Sequence, residues 1–228
     1  MKNKKIIALI IAKKNSKRLS KKNFRKIKNI SITERTIKIA KTCKYLDKIM
    51  LSSDSKELIQ IANKHKISAP FIRPAYLCKS KVKPWPVIKH SINYLSQLKE
   101  KYDFMLLLQP TSALRKKKHI DKAIQIMKKN KYKKNVYSMV TKDNCKKIKF
   151  AKIYAEVGNK FSQSINILNQ KQIKTKAVVN GNIYLFNIKK AILNRSHFLN
   201  NSIGFLMNKK DSIDIDTLQD LKEARKYI

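Results

Sequence analysis

The chain has 228 residues, 43% of them hydrophobic and 30% charged, which suits one substantial globular core and excludes a disordered or low-complexity protein. Its 54 Lys and Arg against 14 Asp and Glu give a formal charge of +40, enough to steer nucleotides, nucleic acid or an anionic membrane toward it. No apolar run reaches membrane-spanning length, and the lysines are spread through a sequence rich in Lys, Ile and Asn rather than gathered into one basic stripe.

Met1-Lys-Asn-Lys-Lys and seven apolar residues open the chain, but Lys13 and Lys14 follow at once and no small-residue cleavage site appears, so no secretory leader is expected. The apolar stretch Ile6 to Ala12 lacks alternation, as expected of a strand covered on both faces in a parallel α/β sheet. Ligands of such sheets collect beyond the carboxyl ends of the strands. There the chain places Lys13, Ser16, Lys17, Lys22 and Asn23, a set suited to phosphate. The glycines of a P-loop are missing, so side chains must supply the charge, and a solvated lysine-rich turn is the competing reading.

Apolar spacing predicts a helix over 33–46 and a second strand over 48–53. Asp54 and Glu57 resemble a capping box opening a helix over 55–66, and a short strand over 69–72 ends at Arg73-Pro74. A helix is expected over 84–99 and a strongly buried strand over 103–108, which Pro110 terminates within Gln109-Pro-Thr-Ser-Ala-Leu-Arg115. A helix over 119–129 follows, then strands over 135–141, 149–156, 178–186 and 203–207. Thr217 and Asp220 form a capping pattern for a terminal helix. Alternation of this kind predicts a single-domain, three-layer α/β sandwich with a mostly parallel sheet and right-handed crossovers.

Asp214 and Asp216 lie two apart on an extended segment, so both carboxylates point the same way and can share one hard divalent cation; a helix cap with a solvated neighbour is the alternative. With Lys17, Lys22, Gln109, Thr111 and Ser112 the pair fits phosphoryl or nucleotidyl transfer, where positioning and charge neutralisation dominate. His65, His90, His119 and His197 have no partner pattern and read as structural or surface residues. Cys43, Cys78 and Cys145 are far apart and form no C-x-x-C pair, which fits a reducing cytoplasm.

The ordered set Ser16-Lys17 with Lys22-Asn23, Ser53-Asp54-Ser55, Arg73-Pro74, Gln109 to Arg115, Asn180-Gly181-Asn182-Ile183-Tyr184 and Ser212 to Thr217 resembles the N-acylneuraminate (CMP-sialic acid) cytidylyltransferases, including those for legionaminic-type acids. The resemblance covers nearly the whole chain. It implies a Rossmann-like nucleotidyltransferase fold and a Mg²⁺-dependent transfer of CMP from CTP to the anomeric hydroxyl of a nonulosonic acid, with release of pyrophosphate. It further implies that Lys13, Ser16, Lys17 and Lys22 bind the triphosphate, and Asn23 and Arg73 the cytidine end. Gln109, Thr111, Asn180 and Tyr184 would bind the sugar acid, and Asp214 and Asp216 the metal, with Lys22 joining them in catalysis. The resemblance also implies a homodimer, with an excursion at about 141–177 reaching the neighbouring site.

Several positions depart from the family pattern. Lys13 replaces the usual loop arginine, and Ala113 a proline. The acidic residue common after Arg73-Pro74 is missing from Lys79-Ser-Lys-Val-Lys83. Gln170 or Lys171 stands near an expected arginine, and Ile148, between Lys147 and Lys149, where a lysine is expected. A nucleic-acid binder on a catalytically degenerate nucleotidyltransferase fold is the rival that the charge and these losses motivate, and membrane binding is not expected.

Overall fold

The computed structural model describes residues 4–141, 165–167 and 177–228. The expected strand over 149–156, nearly all of the excursion at 141–177, and Cys145, Ile148, Gln170 and Lys171 lie outside the described residues.

The apolar run after Lys5 forms β1 (Ile6–Ile11), flanked in parallel by β4 (Lys48–Ser52) and β5 (Phe104–Leu108). Two of its neighbours in sequence are a minimal hairpin, β2 (Lys26–Ile27) and β3 (Ile30–Ser31). Because a strand's side chains alternate, Ile6, Ala8 and Ile10 pack toward α1 (Ile32–Lys41), α2 (Lys56–Lys64) and α4 (Lys117–Lys129). Ile7 and Leu9 pack toward α3 (Pro84–Gln97) and the short α5 (Ile188–Leu193) on the other face. Helices on both faces make three layers, which explains why the strand reads as continuous apolar sequence.

The sheet continues with β6 (Asn135–Thr141), β7 (Ile165–Ile167), β8 (Ala177–Asn187) and β9 (Ser202–Leu206), in the order β4-β1-β5-β8-β6-β9-β7. Among the described strands of this sheet only β8 runs against its neighbours, β5 and β6. Its reversal places Ala177 opposite Thr141, at the rim where β5 delivers Gln109.

Local details depart from the sequence reading. α1 stops at Lys41, short of residue 46. Ser55, not Asp54, caps α2, its hydroxyl accepting from Leu58 N. The strand expected over 69–72 reduces to isolated bridges from Ser68 and Ile72, since Pro70 has no N–H for a ladder. The terminal helix, α6 (Leu218–Arg225), does begin with a reciprocal box in which Thr217 and Asp220 bond each other's backbone N–H.

With only 3 glycines in the chain, helix ends adopt left-handed backbone at cationic residues. Lys66, Lys99, Lys131 and Arg195 follow α2, α3, α4 and α5 at φ of 55°, 57°, 51° and 47°. Each closes a paired-bond C-terminal motif, as where Lys66 N reaches Asn63 O at 2.8 Å and Ile67 N reaches Ala62 O at 3.1 Å. Glycine carries no Cβ strain in that region. Lys66→Gly, Lys99→Gly and Lys131→Gly are each expected to stabilise the fold by about 0.5–1 kcal/mol, read as higher urea midpoints at unchanged m. Among the described residues no helix is long and apolar enough to cross a membrane.

Candidate active site

A cleft of about 430 Å³ opens beyond the carboxyl ends of β1, β4 and β5. Lys13, Ser16, Lys17, Lys22, Asn23, Arg73, Gln109 and Thr111 all line it. The loop after β1 is shaped by hydrogen bonds instead of glycines. Asn23 Nδ2 donates to Lys13 O at 2.7 Å, Lys14 N donates to Asp54 Oδ1 at 2.7 Å, and the loop closes in a single 3-10 turn (Lys22–Phe24). Asp54 thus holds the loop after β1, which is why the helix cap falls to its neighbour.

Arg73 is buried and braced across two strand ends. Its Nε donates to Ser52 Oγ at 3.1 Å, and its Nη2 donates to Ala12 O at 3.0 Å and to Ser52 O. Burial pushes its pKa down. Lys13 is likewise lowered, first by burial and then by the charges of Lys22 and Arg73. A multiply charged anion in the cleft would relieve the crowding of positive charge that Lys22 and Arg73 impose on Lys13.

A second cleft, of about 790 Å³, adjoins the first and shares Gln109 and Lys83 with it. Tyr184, Trp85, Phe198 and His197 give it apolar walls, with Arg195 and Ser196 as polar lining. Burial raises the Tyr184 hydroxyl's pKa, and the charge of Asp214 adds to the effect. His197 is buried with Nδ1 lacking a hydrogen-bond partner among the described residues, and burial holds it down at about 3. The unfolded chain binds a proton near pH 6.5 that folded His197 refuses, so its contribution to stability is present above that value and is lost as pH falls toward 3. His197→Phe is expected to flatten the fall in Tm between about pH 6.5 and 4.

Asp216 stands at the junction of the loop and the C-terminal segment. Its side chain is 3% exposed, with Lys22 Nζ 2.7 Å from Oδ1 and Arg18 Nη1 3.2 Å from Oδ2. Thr217 and Asp220 perform the capping of α6. Asp214 is half-buried. Ile215 N, between them, donates to Thr111 O at 2.9 Å and pins the acidic segment to the Gln109 loop.

Asn180 is placed differently: fully buried, it accepts from Ser138 Oγ at 2.6 Å and from Asn182 N at 3.1 Å, and donates to Ser212 Oγ at 2.9 Å. It therefore braces the turn leading to Asp214 and lies outside the lining of either cleft. Arg115 is a support that the sequence reading did not single out. Fully enclosed, it donates from Nε to Asn182 O and Oδ1 at 2.9 and 3.1 Å and from Nη2 to Gln109 O at 2.9 Å. Burial pulls its pKa down to about 9. Asn182 in turn donates to Asp211 O at 2.9 Å, and Asp211 is paired with Lys116 at 2.9 Å and faces His119 at 3.4 Å. His119 is thus a buried structural histidine, lowered to about 4 chiefly by burial. Arg18 and Lys83 are further lining residues outside the sequence-level set; Arg18 sat unremarked within the basic loop, and its tie to Asp216 links opposite ends of the chain.

A sheet covered on both faces, with a cationic cleft at the carboxyl rim and a buried carboxylate beside it, defines a nucleotide-phosphate-binding α/β protein. Residues 7–210 match the family described as Cytidylyltransferase. The chain is 29% identical over 226 residues to an N-acylneuraminate cytidylyltransferase of Escherichia coli, with 96% of this chain but 51% of that protein covered. It is 30% identical over 217 residues to a CMP-N,N'-diacetyllegionaminic acid synthase of Legionella pneumophila, covering 93% and 91% of the two chains. The chain therefore spans about half the length of the first relative and nearly all of the second. The fold also superposes on a CMP:2-keto-3-deoxy-manno-octonic acid synthetase complexed with CTP, with a TM-score of 0.67 at 11% identity and 98% coverage of both chains. The chain belongs to the cytidylyltransferase family.

Proposed function

We propose that the protein transfers CMP from CTP to the anomeric hydroxyl of a nonulosonic acid, of sialic or legionaminic type, and releases pyrophosphate. The observation that carries this reading is the joining of two unlike clefts at Gln109: a cationic one suited to a triphosphate and an aromatic-walled one suited to a sugar acid. The names of the relatives support the same substrates. The charge of +40 also suits a polyanion binder, but the family match favours the enzyme.

In this reading Lys13, Ser16, Lys17 and Lys22 bind the triphosphate, while Asn23 and Arg73 fix the loop and strand ends against the cytidine side. Gln109, Thr111 and Tyr184 receive the sugar acid, and Asn180 acts through the turn it braces. Asp214 and Asp216 offer hard oxygen ligands suited to Mg²⁺. Among the described residues no cluster of three or more His, Cys, Asp or Glu forms a metal site, so nucleotide and water oxygens would complete the shell. Asp214 and Asp216 would hold the cation where it would supply charge neutralisation at the α-phosphate and acidification of the attacking hydroxyl. We further propose a homodimeric, cytoplasmic enzyme, a compartment in which Cys43 and Cys78 remain free thiols; sedimentation velocity tests the dimer.

Incubation with CTP, Mg²⁺ and a panel of sialic, legionaminic and pseudaminic acids tests the activity. Pyrophosphate release with at least one acid is expected, and none with any acid refutes the reading. Gln109→Ala is expected to raise KM for the acid or lower kcat, with little change in CTP affinity measured alone, because the substrate's polar groups lose their amide partner. A reversal of those two effects would reassign the clefts.

A further inference from the structure

Each oxygen of the Asp216 carboxylate holds a cation, and the two cations differ in freedom. Lys22 is 12% exposed and Arg18 is 51% exposed, and both line the first cleft. A divalent cation on Asp216 repels both, and the exposed guanidinium is the one able to leave. Its surroundings then offer one destination. Of the two arginines lining the cleft, Arg73 is tied to Ala12 and Ser52, so Arg18 carries the fork not braced by strand ends.

We propose that Arg18 is an exchangeable counter-ion: when Asp216 takes a divalent cation, Arg18 leaves the carboxylate and clamps the terminal phosphates of the nucleotide. The inference rests on the cytidylyltransferase reading and adds a residue to it. It also accounts for a nucleotide loop whose other cations are lysines, since a guanidinium grips phosphate with two parallel hydrogen bonds where an ammonium acts as a point charge.

Mn²⁺ binding without nucleotide, followed by the paramagnetic signal of free Mn²⁺, and CTP binding in saturating Mg²⁺, followed calorimetrically, test the exchange. Arg18→Ala should bind Mn²⁺ more tightly than wild type, because a competitor for Asp216 is gone, and CTP about tenfold more weakly. Arg18→Lys should recover part of the CTP affinity. Lys14→Ala removes the same charge from a loop residue outside the cleft lining and should change neither affinity. Unchanged Mn²⁺ affinity or unchanged CTP affinity in Arg18→Ala, or a shift of equal size in Lys14→Ala, overturns the role of Arg18. Wild-type protein that fails to bind CTP overturns the enzymatic reading itself, a distinct result from CTP binding that ignores Arg18.

Discussion

Asp216→Asn is expected to lower pyrophosphate release by on the order of a thousandfold, the largest effect of any single change considered. Asparagine keeps the shape and hydrogen-bonding reach of the side chain but removes the charge that draws a cation. It also leaves Lys22, 12% exposed, without the negative charge that now lies 2.7 Å from its Nζ. That loss should cost about 1–2 kcal/mol of stability, small enough for the variant to remain folded at 25 °C. Circular dichroism and urea unfolding separate the two effects. Asp214→Asn combined with Asp216→Asn should be no slower than Asp216→Asn alone, because a cation site already lost cannot be lost again. A variant with the wild-type rate would remove Asp216 from the chemistry.

Arg115→Met is expected to produce the largest loss of stability, about 2–4 kcal/mol, with a fall in Tm on the order of 10 °C. Methionine fills similar space but donates nothing. Gln109 O, Asn182 O and Asn182 Oδ1 would then be buried acceptors deprived of the Arg115 donors. Relief of the buried charge offsets part of the cost, and the Arg115 Nη1, which has no hydrogen-bond partner among the described residues, is part of that relief. Wild-type Tm in Arg115→Met would show that the guanidinium contributes no net stability.

The parts of this fold legible in sequence are those governed by burial over a few residues. β1 and β5 announce themselves as unbroken apolar runs, and β6, interrupted by Ser138, still spans 135–141 as expected. Direction is another matter: the sequence marks β8 as a strand over 178–186, and nothing in it says that the strand runs against β5 and β6. The same limit decided the cap of α2. Asp54 and Ser55 are equally good caps in isolation, and the choice was made by Lys14 N, which claims Asp54 Oδ1 from forty residues away. In the site, the lining residues near strand ends follow from the α/β pattern, whereas the Arg18–Asp216–Lys22 arrangement joins the two ends of the chain and exists only after folding. Asn180 looks like a ligand by residue type and is a brace by position, because both ends of its amide face protein. The six-residue α5 and the two-residue β2 and β3 are too short to carry a period.

The reversal of β8 makes the sheet a socket. Thr141 and Ala177 face each other across one ladder rung, roughly 5 Å apart, so the chain leaves β6 and enters β8 at neighbouring points of the sheet's rim, and between them it supplies β7, paired with β9. The ladders of β8 with β5 and of β6 with β9 close independently of the segment that joins β6 to β8. Two neighbouring seams therefore bound the segment between β6 and β8, and a change in its length leaves the registers of β8 against β5 and β6 where they are.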